Sequence, residues 1–209
     1  MKWIKIFEDF DIDTHQDIPS LCEKYGIHNY TINSEGKVDI DGGLDLSGRL
    51  GDLAKLPIKF GSVTRDFYCS RNELTSLEGC PEFVGGGFYC YRNQLTTLEG
   101  CPKTVGGDFS CYENNLTSLV GCPPVSSLYC TSNYINSFEG FPSITGHHFE
   151  CMNNPIYEIW QLFKDLDKIE LFNEFDPIRG GDLILDRLND FLITIGKEPV
   201  ESVKGYNNI

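Results

Sequence analysis

The sequence predicts an α/β solenoid: a ladder of parallel strands with repeats of about 21 residues, a mixed N-terminal cap and a helical C-terminal cap. Three observations predict it. First, Phe67-Tyr-Cys69, Phe88-Tyr-Cys90, Phe109-Ser-Cys111, Leu128-Tyr-Cys130 and Phe149-Glu-Cys151 recur with cysteine-to-cysteine steps of 21, 21, 19 and 21 residues. Second, an asparagine follows each cysteine by three positions (Asn72, Asn93, Asn114, Asn133, Asn154). Third, four units end on a Cys-Pro or Phe-Pro corner: Cys80-Pro81, Cys101-Pro102, Cys122-Pro123 and Phe141-Pro142. The rhythm divides the chain into residues 1–43 (cap), 44–154 (solenoid) and 155–209 (cap).

One unit is legible from its residues. Phe-x-Cys alternates apolar, polar, apolar, which suits a short strand with Phe and Cys turned inward. The asparagine can bond backbone groups within its turn, and its amide can form a ladder along the stack. Two aliphatic positions follow, as at Leu74 and Leu77, and point inward. Gly-Cys-Pro makes the corner. Val84-Gly-Gly-Gly and Val105-Gly-Gly-Asp cross the opposite side with one apolar anchor and little bulk. The third unit is two residues short at Pro124-Val-Ser-Ser127, where a kink or tighter turn is expected.

The flanks follow in order. Residues 1–12 space Trp3, Ile4, Phe7 and Phe10 like an amphipathic helix. Asp17 to Tyr25, ended by Gly26, reads as a short helix. Asn29–Asn33 and Val38–Asp41 around Ser34-Glu-Gly-Lys37 read as a hairpin. Leu44-Asp-Leu46 opens a degenerate first repeat. Beyond Asn154, Pro155 starts a helix with Ile156, Ile159, Trp160 and Phe163 on one stripe. Leu166 to Phe175 continues helically, and Asp182 to Ile195 forms a third amphipathic helix.

Composition narrows the function. The formal charge of -14 argues against binding nucleic acid or an anionic membrane. No apolar run is long enough to cross a bilayer, and acids at Glu8 and Asp9 break any signal-peptide core, so a cytoplasmic chain is expected. Eight of the nine cysteines fall on two repeat columns and read as small buried hydrophobes, reduced in such a compartment. Asp39 and Asp41 lack calcium-loop spacing, and His147-His148 point to opposite faces of a strand. No nucleophile elbow, phosphate loop or dinucleotide fingerprint occurs. Catalytic residues, metal and cofactor are therefore all expected to be absent.

The outward side of the ladder carries the functional expectation. Tyr68, Tyr89 and Tyr129 lie between Phe (or Leu) and Cys; Tyr91 and Tyr112 lie just after the cysteine; Arg71 and Arg92 come next. Five tyrosines and two arginines on one exposed surface match the composition of protein-binding hot spots. The alternatives are an acidic mimic of DNA that occupies a nucleic-acid channel, and an enzyme with an unrecognised site.

Two resemblances extend this reading. The repeats resemble leucine-rich repeats, with Phe and Cys at the two strand leucines. Cys22-Glu-Lys-Tyr25, Asn29-Tyr-Thr-Ile-Asn33, the Asn-x-Leu-Thr-x-Leu-Glu-Gly-Cys-Pro repeats, Asn154-Pro-Ile-Tyr157 and Leu185-Asp-Arg-Leu-Asn-Asp190 together resemble small leucine-rich-repeat-like accessory proteins of T-even-like tailed phages. The resemblance implies a phage factor in the host bacterial cytoplasm that blocks a host protein. Some members of that family counter toxin–antitoxin defence, including an anti-DarT factor that opposes a DNA ADP-ribosyltransferase toxin. A host protein such as a defence toxin is the implied partner, with no direct nucleic-acid or membrane contact.

Overall fold

The Phe-x-Cys segments stack in register. In the computed structural model, which describes residues 17–209, six strands form one parallel sheet: Leu44–Asp45, Phe67–Tyr68, Phe88–Tyr89, Phe109–Ser110, Val125–Tyr129 and Ile144–Glu150. Phe67, Phe88, Phe109, Leu128 and Phe149 are successive register partners. The result is a parallel β-solenoid of about five turns. The amphipathic pattern at residues 1–12 lies outside the described residues.

The glycine-bearing pass is more ordered than its composition predicts. Phe60–Val63, Phe83–Val84 and Thr104–Val105 pair in parallel, forming a second sheet that continues the antiparallel hairpin Tyr30–Ile32/Val38–Ile40. Val63, Val84 and Val105 turn inward from it, while Phe83 stays 45% exposed. The glycines after Val84 and Val105 let adjacent coils touch. A Cβ on Gly106 would overlap the Gly85 carbonyl of the preceding turn.

At the short third unit the chain passes between the two strand positions without an intervening turn. Losing the glycine pair joins the two strand positions into one five-residue strand, Val125–Tyr129. The adjustment falls on the next turn. There Ile144–Glu150 shifts register between the partners of Val125 and Ser127, and His147 takes a φ of 57°.

Between the sheets the core is a stack of columns. Phe67, Phe88, Phe109, Cys69, Cys90, Cys111 and Cys130 are fully buried. The asparagines hold the coils together. Asn114 Oδ1 accepts the Leu95 N–H of the preceding turn at 3.0 Å, while Nδ2 donates to Cys90 O at 3.1 Å and Cys111 O at 3.0 Å. Asn72, Asn93, Asn133 and Asn154 repeat the arrangement. Their amides donate to backbone carbonyls of the preceding turn and of their own turn rather than to one another, so each side chain satisfies buried groups of two turns.

Helix α1 (Ile18–Tyr25) precedes the hairpin and ends on Gly26, whose φ of 65° lets its N–H reach back to the last turn. After the last coil come α2 (Ile156–Phe163), a short 3₁₀ turn, α3 (Ile169–Phe175) and α4 (Leu185–Thr194). The expected helix from Asp182 starts three residues late. Ile178–Arg179 and Asp182–Leu183 instead form a hairpin around Gly180 and Gly181, both at positive φ, the geometry of a tight primed turn. Phe138 of the last coil sits edge-on to Phe163 and Phe172, with centroids 5.8 and 5.3 Å away, and Phe172 meets Phe191 of α4 at 5.3 Å. Tyr206 donates its hydroxyl to the Asn136 carbonyl at 2.6 Å, tying the tail to the same coil.

Candidate functional site: the tyrosine face of the six-strand sheet

Strand alternation sends the residues between and after Phe and Cys to the outer face, and register then lines them up. Tyr68 and Tyr89 are Cα partners, and their rings stack with centroids 4.4 Å apart and planes 6° apart. One turn further on, Tyr91 and Tyr112 stack at 4.4 Å and 7°. This spacing is close to that of neighbouring strands, about 4.8 Å, so the ring normals run along the solenoid axis. The rings cover one another's faces, while the Tyr68 hydroxyl turns to Asp66 and that of Tyr89 lies over Gly87. Tyr129 stands apart and leans on His148, at 5.1 Å and 45°.

The five tyrosines are half-buried rather than fully exposed, because each ring shields its neighbour. Smaller residues fill the remaining places. Ser70, at the repeat position of Tyr91 and Tyr112, is fully buried and shares a 2.8 Å hydrogen bond with Ser47. Ser110 is 4% exposed. Thr131 Oγ1 is the one buried side-chain oxygen without a hydrogen-bond partner among the described residues.

Arg71 and Arg92 occupy the same repeat position but different environments. The Arg71 guanidinium lies 5.9 Å from the centre of the Tyr91 ring. Arg92 donates to both Glu113 carboxylate oxygens, at 2.9 and 3.2 Å, an arrangement that strengthens its positive charge. Arg92 is thus engaged within the chain, while Arg71 forms no ion pair among the described residues.

Burial pushes the Tyr89 phenol up to about 12, with Tyr68 and Asp66 adding to the effect. Tyr68 is raised by burial and then by Asp66, and Tyr112 by burial and then by Tyr91. These phenols are neutral donors and acceptors near pH 7. The face therefore offers ring edges flanked by Arg71, with the Tyr68 hydroxyl already bonded to Asp66.

Supporting residues escaped the sequence reading. Asp66 Oδ1 accepts the Gly87 N–H at 2.7 Å, and its other oxygen accepts the Tyr68 hydroxyl at 3.4 Å. Gly87 is required by the ring above it: a Cβ there would lie 2.5 Å from the Tyr89 hydroxyl oxygen and 2.7 Å from ring carbons. Both residues lie two positions before the tyrosines, on the same strand face, and that parity was the available signal. His148 joins the aromatic row at Tyr129 and bonds Glu150 at 3.0 Å.

Elsewhere, Asp39 is a structural carboxylate, accepting from Asn33 Nδ2 at 3.1 Å and Ser62 Oγ at 2.8 Å. Among the described residues no group of three His, Cys, Asp or Glu is arranged to hold a metal ion, and no helix is long and apolar enough to cross a membrane. No protein-family model, curated protein or solved structure matches the chain.

Proposed function

We propose that this chain is a non-enzymatic, leucine-rich-repeat-like protein-binding module whose tyrosine face covers a partner protein, with the segments flanking the coils acting as caps. The observation that carries the reading is the pair of ring stacks, Tyr68–Tyr89 and Tyr91–Tyr112, set across three adjacent turns beside Arg71. Stacking immobilises four large amphipathic side chains before any partner arrives. That lowers the ordering cost of association, and the Tyr91 and Tyr112 hydroxyls, which have no hydrogen-bond partner among the described residues, can make directional bonds. Outward ring edges favour an irregular protein surface over a flat sugar or base, which would need exposed ring faces. The resemblance to phage accessory proteins makes a bacterial host protein the target class, a defence toxin such as a DNA ADP-ribosyltransferase among them.

The DNA-mimic alternative rests on the acidic surplus. Several acids on the coils already have bases: Glu78 with Lys55, Glu82 with Lys37 and Lys103, and Glu113 with Arg92. Paired carboxylates make poor phosphate stand-ins, so the aromatic face is preferred.

The test is affinity capture from bacterial lysate, followed by titration of the captured protein against Tyr89→Ala, Tyr91→Ala, Tyr112→Ala and an Asp186→Asn/Asp190→Asn control on α4. Each tyrosine truncation should weaken binding by about 2 kcal/mol or more, with little salt dependence. Normal binding by the tyrosine variants and loss by the acid variant would replace this reading with the mimic.

A further inference from the structure

At the far end of the six-strand sheet the ladder stops on Ile144–Glu150, the longest strand in the described chain, with no further strand beyond it among the described residues. The direction of its free backbone groups follows from the register. Val125 donates its N–H to Ser143 O at 3.0 Å and is the Cα partner of Ile144. In a parallel ladder this pattern turns Ile144's own N–H and C=O to the opposite side, where the next turn would have paired with them. A cavity of about 550 Å³ opens there, between the Phe141–Ile144 corner and the segment from Leu166 to α3. Phe141, Pro142, Ile144, Leu166 and Ile169 give it apolar walls. Asp167 and Glu170 stand exposed among its lining residues, which include no base. A second cavity of about 330 Å³ adjoins it across Asn173 and adds Glu139; its Asp176 is already held by Arg179 and Arg187.

We propose that this open edge is a second binding site, distinct from the tyrosine face, which takes an extended basic peptide segment of a partner. An added strand would satisfy the Ile144 N–H and C=O, as edge-strand recognition does elsewhere. One apolar side chain would enter between Phe141 and Ile169. A Lys or Arg on the segment would meet Asp167 and Glu170. Charge selects the occupant, because an acidic or neutral strand could use the backbone but would gain nothing from the two carboxylates. The bulge at His147 confines pairing to the Ile144 end, since beyond it the strand is out of step with a regular neighbour. The segment is therefore short.

The test uses the full chain and two fluorescein-labelled, terminally blocked peptides, Lys-Val-Lys-Val-Lys and Glu-Val-Glu-Val-Glu, read by fluorescence anisotropy at low salt. The basic peptide should bind saturably and the acidic one should not. Asp167→Asn with Glu170→Gln should weaken binding about tenfold, as two partly exposed charge contacts are lost. Ile144→Pro deletes an N–H that pairs with no described residue and should abolish binding, with the circular dichroism spectrum retained. Should that variant not fold, the carboxylate pair still decides. Tyr89→Ala should bind the peptide normally, so failure here and failure of the tyrosine face are separate results. The proposal is overturned if the basic peptide does not bind at millimolar concentration, if both peptides bind alike, or if the carboxylate variant binds unchanged. It is also overturned if sedimentation shows self-association that the carboxylate variant abolishes, which makes a second copy of the chain the occupant.

Discussion

Replacing Asn114 by alanine removes one side chain and strands the groups of two turns. Three hydrogen bonds of 3.0 to 3.1 Å disappear: Leu95 N–H to Oδ1, and Nδ2 to the carbonyls of Cys90 and Cys111. At about 1 kcal/mol net for each bond, the direct loss is about 3 kcal/mol. The Leu95 N–H is then buried without a partner, which adds roughly 1–3 kcal/mol. A cost of about 4–6 kcal/mol is large against a typical total of about 5–15 kcal/mol.

Asn115→Ala is the control, since that side chain is exposed and makes no hydrogen bond within the described chain. It should change stability by less than about 0.5 kcal/mol. Urea unfolding followed by circular dichroism measures both. Asn114→Asp adds a pH signature. A carboxylate facing two carbonyls has its pKa raised on folding. The penalty is therefore present at neutral pH and shrinks as pH falls through the folded pKa toward the unfolded value near 3.9. The reasoning fails if Asn114→Ala costs no more than Asn115→Ala, because the ladder would then be decoration on a fold held by its apolar columns alone.

Three further outcomes are expected. Gly87→Ala should lift the Tyr89 ring from its seat, weakening the near-ultraviolet tyrosine signal and partner binding more than it lowers the unfolding midpoint; Gly106→Ala, which meets backbone instead of a movable ring, should do the reverse. In an absorbance titration Tyr89 should ionise at about 12; its raised pKa means a contribution fully present below about pH 10 and lost as pH rises through the folded value, and a Tyr89→Phe titration with the same late-ionising fraction would sink this. Ser132, with φ at 56°, should accept glycine with a gain of about 0.5–1 kcal/mol, read as a higher urea midpoint.

The parts of the fold that were legible repeat in one dimension. Phe67, Cys69, Asn72, Leu74 and Leu77 recur at fixed steps, and recurrence places each in a column before any contact is known. The second sheet was hidden because Phe83–Val84 and Thr104–Val105 offer one inward residue apiece beside glycines. Alone they read as loop, and they become strands only when coils stack. The Ile178–Leu183 hairpin was hidden because Leu183 also fits the apolar stripe of α4. At the tyrosine face, alternation predicted direction but not degree of exposure. Half-burial of Tyr89 depends on Tyr68 one turn away and on Gly87 beneath it, which no single turn displays. The Ile144 edge was invisible for a related reason: it is defined by a neighbour that the described residues do not supply.

The column that leaves each strand joins stability to function. Arg71, Arg92, Glu113, Ser132 and Asn153 all adopt φ between 53° and 56°, a left-handed conformation, and Gly48 holds the same place in the first turn at 64°. The conformation is imposed by the next residue, which must turn back so that Asn72 and its equivalents enter the core. A non-glycine residue there costs about 1–2 kcal/mol, so five of the six positions carry a strain that glycine would relieve. At Arg71, Arg92 and Glu113 the side chains have a counterpart to that strain: a guanidinium against Tyr91 and a two-point ion pair that flanks the second ring stack. The buried asparagine ladder thus dictates where charged side chains meet the tyrosines. A partner reading Arg71 would be reading a position whose backbone is fixed by bonds on the other side of the sheet.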